Sequence, residues 1–286
     1  MTGWANPSDP LVSVDWLAQR VVAPDIRIVD ASSFMPGSER DARAEYQAGH
    51  IPGAVFFDIN EICDTSSDLP HMMPSAEKFS SRVKKLGLGD GLRLVIYDSL
   101  GIFSAPRVWW MFRHMGHNDV VVLDGGLPAW IAAGHALEDM VPFPRERHFT
   151  VRRRADLIRD MAQVGVKLEK GSAQLVDARS SGRFNGTAPE PREGLPSGHM
   201  KGALNVPYAS LLTEQGQLKD AADLSELMRA AGVDLSARIV TTCGSGVTAC
   251  VLALALARLG RYDVPIYDGS WTQWASTAGN EIVMGT

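Results

Sequence analysis

The stretch that decides the fold is RIVTTCGSGVTACVLALALARL, residues 238–259. It begins with a β-branched apolar run and ends with an apolar run of helical length, so it predicts a strand, a short loop and a helix. Cys243 opens the loop, and glycines at positions 244 and 246 let the backbone curl without a Cβ clash. Backbone N–H groups of such a loop converge at the helix N-terminus, where they favour a thiolate, the nucleophilic form of cysteine.

A buried, unreactive cysteine is the simpler interpretation, because free cysteines are commonly small core residues. For Cys243 the position between a strand and a glycine loop favours a nucleophile instead. Cys250 follows on the helical run, and we expect it to be a core residue about two turns further along. Cys63 lies in a polar stretch, where we expect it to be exposed and without a role.

The Cys243 region has a counterpart in the first half of the chain, and so do three other segments. The matched pairs, in chain order, are Val29–Ser32 with Val176–Arg179, Gly49–Ala54 with Gly198–Ala203, Leu94–Asp98 with Ile239–Cys243, and Leu123–Gly126 with Tyr267–Ser270. Four matches in one order, at a spacing of about 145 residues, indicate a duplicated domain. Asp98 stands in the first half where Cys243 stands in the second, so we expect chemistry only in the second domain.

Each half alternates short β-branched runs with helical patterns. This alternation predicts the α/β class, with two tandem domains that each hold a mainly parallel central sheet flanked by helices. We place a domain without a catalytic cysteine at residues 1–143 and the catalytic domain at residues 156–286. The proline- and arginine-containing segment 144–155 is the predicted linker between them.

Composition and charge exclude several classes of protein. With 286 residues and a net charge of −5, the chain gives no reason to expect binding to nucleic acid or an anionic membrane. The longest apolar run is too short to cross a bilayer, and the segment Met1–Pro7 lacks the features of a secretory signal. Three cysteines without a Cys-x-x-Cys pair indicate neither a disulfide framework nor a zinc site, so we expect a cytoplasmic protein without metal or cofactor.

These sequence elements resemble the rhodanese superfamily, specifically its two-domain sulfurtransferases, over nearly the whole chain. The resemblance rests on the segment Gly49–Ala54, on the Asp-Gly-Gly-x-x-x-Trp pattern from Asp124 to Trp130, and on the segment Ser104–Trp110. Thiosulfate-using members carry basic residues directly after the cysteine. The loop Cys243–Thr248 has none and is similar to that of the 3-mercaptopyruvate sulfurtransferases.

The resemblance implies that Cys243 takes sulfur from 3-mercaptopyruvate as a persulfide, releases pyruvate, and passes the sulfur to cyanide or to a thiol, such as a thioredoxin-like protein or a small thiol. Arg183 and Arg192 match the family's substrate-binding arginines, while Arg179 is expected to be structural. The backbone N–H groups expected to hold the sulfur anion belong to Gly244, Gly246, Val247 and Thr248. We expect a monomer.

Family members also carry a Ser-His-Asp relay near the substrate. Ser245 matches the serine, and His71, from the first domain, matches the histidine. The acid position holds Asn60, which can orient His71 but cannot stabilise an imidazolium by charge. Asp58 or Asp64 could take the acid's place, and the sequence leaves this open.

Three other functions remain as alternatives. A thiosulfate:cyanide sulfurtransferase is the nearest, although the uncharged pair Gly244–Ser245 argues against it. A protein phosphatase with a cysteine loop would need an arginine to bind phosphate, and the segment Val247–Cys250 has none. A non-catalytic sulfur-carrier module fits the first domain but not the loop that follows Cys243.

Overall fold

A computed structural model describes residues 9–285 of the chain. The segment Met1–Pro7, used above to argue against a secretory signal, lies outside the described residues. Within the described range, no helix is both long enough and apolar enough to cross a membrane.

Two five-stranded parallel sheets form the framework of the chain. The first sheet contains β1 (Leu11–Val12), β2 (Ile26–Asp30), β3 (Val55–Phe56), β4 (Arg93–Tyr97) and β5 (Val120–Leu123). The second contains β6 (Ile158–Arg159), β7 (Gln174–Asp177), β8 (Leu204–Asn205), β9 (Ile239–Thr242) and β10 (Ile266–Tyr267). Their strand orders, β1-β5-β4-β2-β3 and β6-β10-β9-β7-β8, are the same order repeated, which confirms the predicted tandem α/β fold.

Ten α-helices connect the strands among the described residues. They are α1 (Val14–Ala18), α2 (Ala42–Ala48), α3 (Ala76–Lys85), α4 (Ala105–His114), α5 (Gly126–Ala132), α6 (Met161–Glu169), α7 (Ser181–Asn185), α8 (Ala221–Ala230), α9 (Ala249–Arg258) and α10 (Ser270–Ser276). Several begin at a side chain that accepts backbone N–H groups, which stabilises the first turn; these residues are Asp41, Ser75, Asp160 and Asp220.

The two domains meet through α4 and α9, which pack against each other. Every residue of α4 is buried, and α9 is buried from Ala249 to Ala257. Because both helices are buried along nearly their whole length, they lie between the sheets rather than on the surface. Because α4 and α9 each follow the matching loop of their domain, their packing brings both loops to the domain interface.

Two details differ from the sequence-based expectations. The helix after the Cys243 loop, α9, begins only at Ala249. Cys250 therefore lies in its first turn and not two turns along it. Its burial agrees with the expected core position. The expected exposure of Cys63 is wrong, because its side chain is buried and its Sγ donates to the carbonyl of Asn60 at 3.0 Å.

The segment that joins the two sheets has no regular structure from residue 139 to residue 154. It lies along the first domain, where Phe149 is buried against Phe79 and Phe112. The domain boundaries at residues 143 and 156 stay a prediction.

Candidate active site

A cavity of about 130 Å³ lies between the two domains. Cys243 enters it directly after β9, and Ala178 and Arg179 enter it directly after β7. The carboxyl ends of adjacent parallel strands commonly form a ligand site, since the loops there open outward from the sheet. The first domain closes the cavity with Ser33, Phe34, Met35, Pro36, His71 and Phe103.

Hydrogen bonds from the first residues of α10 hold the loop that carries Cys243. The N–H of Cys243 donates to Ser270 Oγ at 3.3 Å, and Trp271 N–H donates to the carbonyl of Cys243 at 2.9 Å. Thr272 Oγ1 donates to the carbonyl of Gly244 at 2.7 Å. These contacts fix the backbone of Cys243, whose side chain is buried against the cavity.

Gly246 shapes the loop without lining the cavity. Its φ of +78° is in the left-handed region, and a Cβ there would lie 3.0 Å from the carbonyl oxygen of Asp268. Its own carbonyl accepts from Arg107 Nη1 at 3.3 Å and from Cys250 Sγ at 3.2 Å. The other predicted loop residues, Gly244, Val247 and Thr248, do line the cavity.

The matching loop of the first domain shows what a loop at this position can hold. After β4, the Asp98 carboxylate is buried and accepts backbone N–H groups at 2.8–2.9 Å from Leu100, Phe103, Ser104 and Ala105. The loop is thus a nest of amides around an anion that the chain itself supplies. Cys243 stands at the equivalent position after β9, where a thiolate would be the corresponding anion.

Ser245, His71 and Asn60 form one chain of hydrogen bonds across the domain interface. His71 Nδ1 lies 3.2 Å from Ser245 Oγ, and His71 Nε2 lies 2.9 Å from Asn60 Oδ1. When Nε2 carries the proton and donates to the amide oxygen, Nδ1 accepts the hydroxyl proton of Ser245. His71 holds a left-handed backbone conformation, with a φ of 61°, and its side chain reaches Ser245 of the second domain.

Burial, and after it the positive charges of Arg107 and Arg192, lower the pKa of His71 to about 4. The imidazole is therefore neutral at physiological pH. Neither aspartate considered above is hydrogen-bonded to the imidazole: Asp58 accepts the N–H of Asn60 and acts on His71 only by its charge, and Asp64 accepts from Ser66. The structure thus brings Asn60, and no carboxylate, to the acid position.

The two predicted substrate arginines both lie against the first glycine of the loop. A Cβ on Gly244 would be 2.9 Å from Arg183 Nη2 and 4.0 Å from Arg192 Nη1. Arg183 donates from Nε and Nη2 to Glu190 at 3.1 and 2.5 Å. Arg192 is half-buried and has no carboxylate partner among residues 9–285, so its guanidinium is available to an anionic ligand.

Arg179, expected to be structural, is buried, and two carboxylates compensate its positive charge. It forms ion pairs with Asp177 at 2.7 Å and with Glu190 at 2.8 Å, and it donates to the carbonyl of Gly198. Its guanidinium also stacks over Trp271. These contacts attach the segment around Glu190 to the end of β7.

The sequence analysis missed the ion pair between Arg107 on α4 and Asp268 after β10. Arg107 Nη2 lies 2.8 Å from Asp268 Oδ1 and donates to the carbonyl of His71 at 2.5 Å, while Asp268 Oδ2 accepts the N–H of Met73 at 2.7 Å. The pair therefore joins the His71 segment to the loop at Gly246. The one signal available was a cation in the otherwise apolar segment 105–112.

No group of three or more His, Cys, Asp or Glu side chains within the part of the chain that the structure describes is arranged to hold a metal ion. The arrangement around Cys243 is suited to nucleophilic chemistry on a small anionic substrate: a buried thiol, an unmatched guanidinium and a hydroxyl paired with a neutral imidazole.

Comparison with known proteins gives consistent matches. The rhodanese-like domain family matches residues 13–133 and 160–277. The chain is 42% identical to the 3-mercaptopyruvate sulfurtransferase of Homo sapiens, over 96% of this chain and 94% of that protein. It is 44% identical to the thiosulfate sulfurtransferase of Rattus norvegicus, over 95% of this chain and 93% of that protein. The crystal structure of SseA from Escherichia coli, a 3-mercaptopyruvate sulfotransferase, superposes with a TM-score of 0.85 at 40% identity, covering 92% of this chain and 99% of that one.

Proposed function

The chain belongs to the rhodanese-like family, and from that premise we propose that it is an enzyme that moves sulfur from 3-mercaptopyruvate to a thiol or cyanide and releases pyruvate. The observation that carries the proposal is the content of one small cavity. It holds the Cys243 thiol, the unmatched guanidinium of Arg192 and the Ser245 hydroxyl paired with His71.

The donor's carboxylate fits the guanidinium side of the cavity. Arg192 presents a planar set of N–H donors without a carboxylate partner among the described residues, and a carboxylate can accept two of them side by side. Arg183 reaches the same edge of the cavity with its remaining N–H donors. This orientation places the donor's sulfur towards Cys243, which lines the same cavity.

In the first step the Cys243 thiolate attacks the sulfur of the donor. A new S–S bond forms, the bond between sulfur and C3 breaks, and its electron pair is delocalised onto the keto oxygen as an enolate. The enolate takes up one proton and leaves as pyruvate. Backbone N–H groups of Gly244, Val247 and Thr248 support the sulfur anion, as the matching amides support Asp98 in the first domain.

In this proposal Ser245 donates a hydrogen bond to the keto oxygen as charge develops there. This requires His71 to hold its proton on Nδ1 and to donate to Ser245 Oγ. Rotation of the Asn60 amide presents either its oxygen or its NH2 group to Nε2, so an asparagine allows both tautomers. An aspartate could only accept.

In the second step an acceptor attacks the outer sulfur of the persulfide. The S–S bond breaks, its electrons return to Cys243 as thiolate, and the acceptor leaves as a persulfide or as thiocyanate. The cavity opens between the domains, so the acceptor is a small thiol or a thioredoxin-like protein that presents an exposed cysteine. Such two-step transfer through an enzyme-bound intermediate is nucleophilic catalysis with ping-pong kinetics.

We further propose a monomer in a reducing compartment such as the cytoplasm. All three cysteines are free thiols, and one chain supplies both sides of the cavity. Light scattering during gel filtration and cell fractionation with an antibody test these two statements separately.

The test of the function compares two sulfur donors with wild-type protein and Cys243→Ser. We expect pyruvate release from 3-mercaptopyruvate with a dithiol acceptor, and little thiocyanate from thiosulfate and cyanide. Cys243→Ser should abolish the release, whereas Cys63→Ser, at a buried thiol outside this cavity, should retain it. Preference for thiosulfate would favour the thiosulfate:cyanide alternative, and activity with neither donor would favour a carrier.

A further inference from the structure

Four charged side chains beside the cavity are linked by consecutive ion pairs, and their charges sum to zero. They run from the end of β7 to the cavity in the order Asp177, Arg179, Glu190 and Arg183, with ion pairs of 2.7, 2.8 and 2.5 Å. The Glu190 side chain is 2% exposed and bridges both arginines. The charges of the two carboxylates and the two guanidinium groups cancel. Both arginines nevertheless line the cavity.

One guanidinium near the donor, that of Arg192, forms no ion pair, although the charges of Cys243 and Glu190 act on it from a distance. Arg192 has no carboxylate partner among residues 9–285, and no aspartate or glutamate stands among the described residues that line the cavity. His71, the other basic group in the lining, is neutral because burial and neighbouring arginines lower its pKa to about 4. Beside the Cys243 thiolate, which faces either donor alike, the cavity therefore offers a ligand one guanidinium that forms no ion pair.

Building on the proposed function, we propose that Glu190 is a specificity-determining residue: by cancelling the charge of Arg183 it leaves only Arg192 unmatched, and the cavity selects a singly charged sulfur donor over a doubly charged one. 3-Mercaptopyruvate carries one negative charge in its carboxylate, whereas thiosulfate carries two. A doubly charged donor would bring one charge into a half-buried site without a partner, which is unfavourable.

Glu190 acts through Arg183 and does not touch the donor itself. Its carboxylate is buried, so little water lies between its charge and the cavity. Removing that charge therefore changes the electrostatic potential at the donor. Glu190 also holds Arg183 against Gly244. A change of charge and a change of position must therefore be separated by experiment.

The experiment measures kcat/KM for 3-mercaptopyruvate and for thiosulfate with cyanide as the common acceptor. Glu190→Gln keeps the shape of the side chain but adds one net positive charge to the cavity. We expect the ratio of kcat/KM for thiosulfate to that for 3-mercaptopyruvate to rise about ten-fold. Glu190→Asp keeps the charge and changes only the reach, so it should leave the ratio at the wild-type value even where both activities fall.

The matched control for charge is Glu193→Gln, an exposed glutamate three positions further along the chain. It makes the same chemical change at the surface and should leave the ratio unchanged. Circular dichroism and urea unfolding of each variant show whether the fold is retained.

A second variant keeps the proposal testable if Glu190→Gln does not fold. Met35 lines the cavity and is 41% exposed, so Met35→Lys adds a positive charge without disturbing the buried ion pairs. It should raise the same ratio. Val22→Lys is its control, because Val22 is 94% exposed and precedes β2, away from the strand ends that form the site.

A rise of the ratio in Glu190→Gln, or in Met35→Lys where Glu190→Gln does not fold, with both controls at the wild-type value, supports the proposal. A folded Glu190→Gln with an unchanged ratio overturns it, and so does an unchanged ratio in Met35→Lys when Glu190→Gln does not fold. Failure of wild-type protein to release pyruvate from 3-mercaptopyruvate is a different result, since it overturns the proposed function itself.

Discussion

Arg107 of the first domain and Asp268 of the second form an ion pair of 2.8 Å in which neither side chain is more than 3% exposed. The pair occupies the point where the His71 segment, the Cys243 loop and α4 meet. It thereby holds together two halves of a site that come from different domains. Asp124, the counterpart of Asp268 in the first domain, accepts the N–H of Leu218 in the second, so the repeated motif makes a contact across the interface twice.

Arg107→Met should be strongly destabilising. It leaves the Asp268 carboxylate buried without its cation, and we expect the free energy of unfolding to fall by about 3–5 kcal/mol. Arg107→Met combined with Asp268→Asn should lose less than the sum of the two single variants, because neither then leaves a buried charge. Urea unfolding followed by fluorescence and circular dichroism measures this. Additive losses would show that the pair is not coupled.

A surface ion pair supplies the control for that measurement. Arg43 lies 3.4 Å from Asp58, and its side chain is 52% exposed. Water screens such a pair, so Arg43→Met should change the free energy of unfolding by less than about 1 kcal/mol.

Asn60→Asp should change how activity depends on pH. In the wild type, burial and then Arg107 and Arg192 lower the pKa of His71 to about 4, so the neutral imidazole persists down to about that pH. A carboxylate at position 60 would stabilise the imidazolium and raise this pKa. Activity that needs neutral His71 would then be lost at a higher pH as the solution is acidified.

The measurement is the pH profile of kcat for pyruvate release, with Asp64→Asn as the control because Asp64 contacts Ser66 and not His71. We expect the acid limb of Asn60→Asp to move to higher pH and that of Asp64→Asn to stay in place. Superimposable profiles for Asn60→Asp and the wild type would contradict a role for His71 in the rate-determining chemistry.

Gly244→Ala should weaken donor binding without unfolding the protein. A Cβ at this position would lie 2.9 Å from Arg183 Nη2, so the guanidinium that lines the cavity must move. We expect KM for 3-mercaptopyruvate to rise about ten-fold, since loss of a well-placed charged contact costs about 1.5 kcal/mol. Gly165→Ala on α6 is the control, because nothing lies within 4 Å of its added Cβ. An unchanged KM in Gly244→Ala would contradict the placement of Arg183.

Asp98→Asn should destabilise the first domain. The Asp98 carboxylate is buried and accepts four backbone N–H groups, whereas an amide offers one oxygen and places an NH2 group against the remaining donors. Loss of charged hydrogen bonds there should lower the free energy of unfolding by about 3 kcal/mol. Urea unfolding measures the loss. Retention of wild-type stability would mean that the amides of this loop do not require an anion.

The sequence was sufficient for the fold because the evidence for the fold is local and repeated. The run from Arg93 to Tyr97 and the run from Ile239 to Thr242 each read as a buried strand, and each is followed by a loop and an apolar helix. Repetition of the same elements in the same order predicted two like domains. Cys63 shows the limit of such reasoning, since its polar neighbours in sequence do not describe what covers it in space.

For the site, the sequence by itself was enough to propose Cys243 as the nucleophile and to find the residues that match a substrate pocket, because a strand–loop–helix pattern and short motifs are encoded within a few positions. Only the tertiary structure decided that Asn60, rather than Asp58 or Asp64, meets His71, and that His71 reaches Ser245, 174 positions away in the chain. The same holds for the burial of Arg107 with Asp268 and for the neutralisation of Arg183 by Glu190. The physical reason is that the charge, protonation and partner of a buried polar group depend on what surrounds it in space, and the packing of α4 against α9 sets those surroundings.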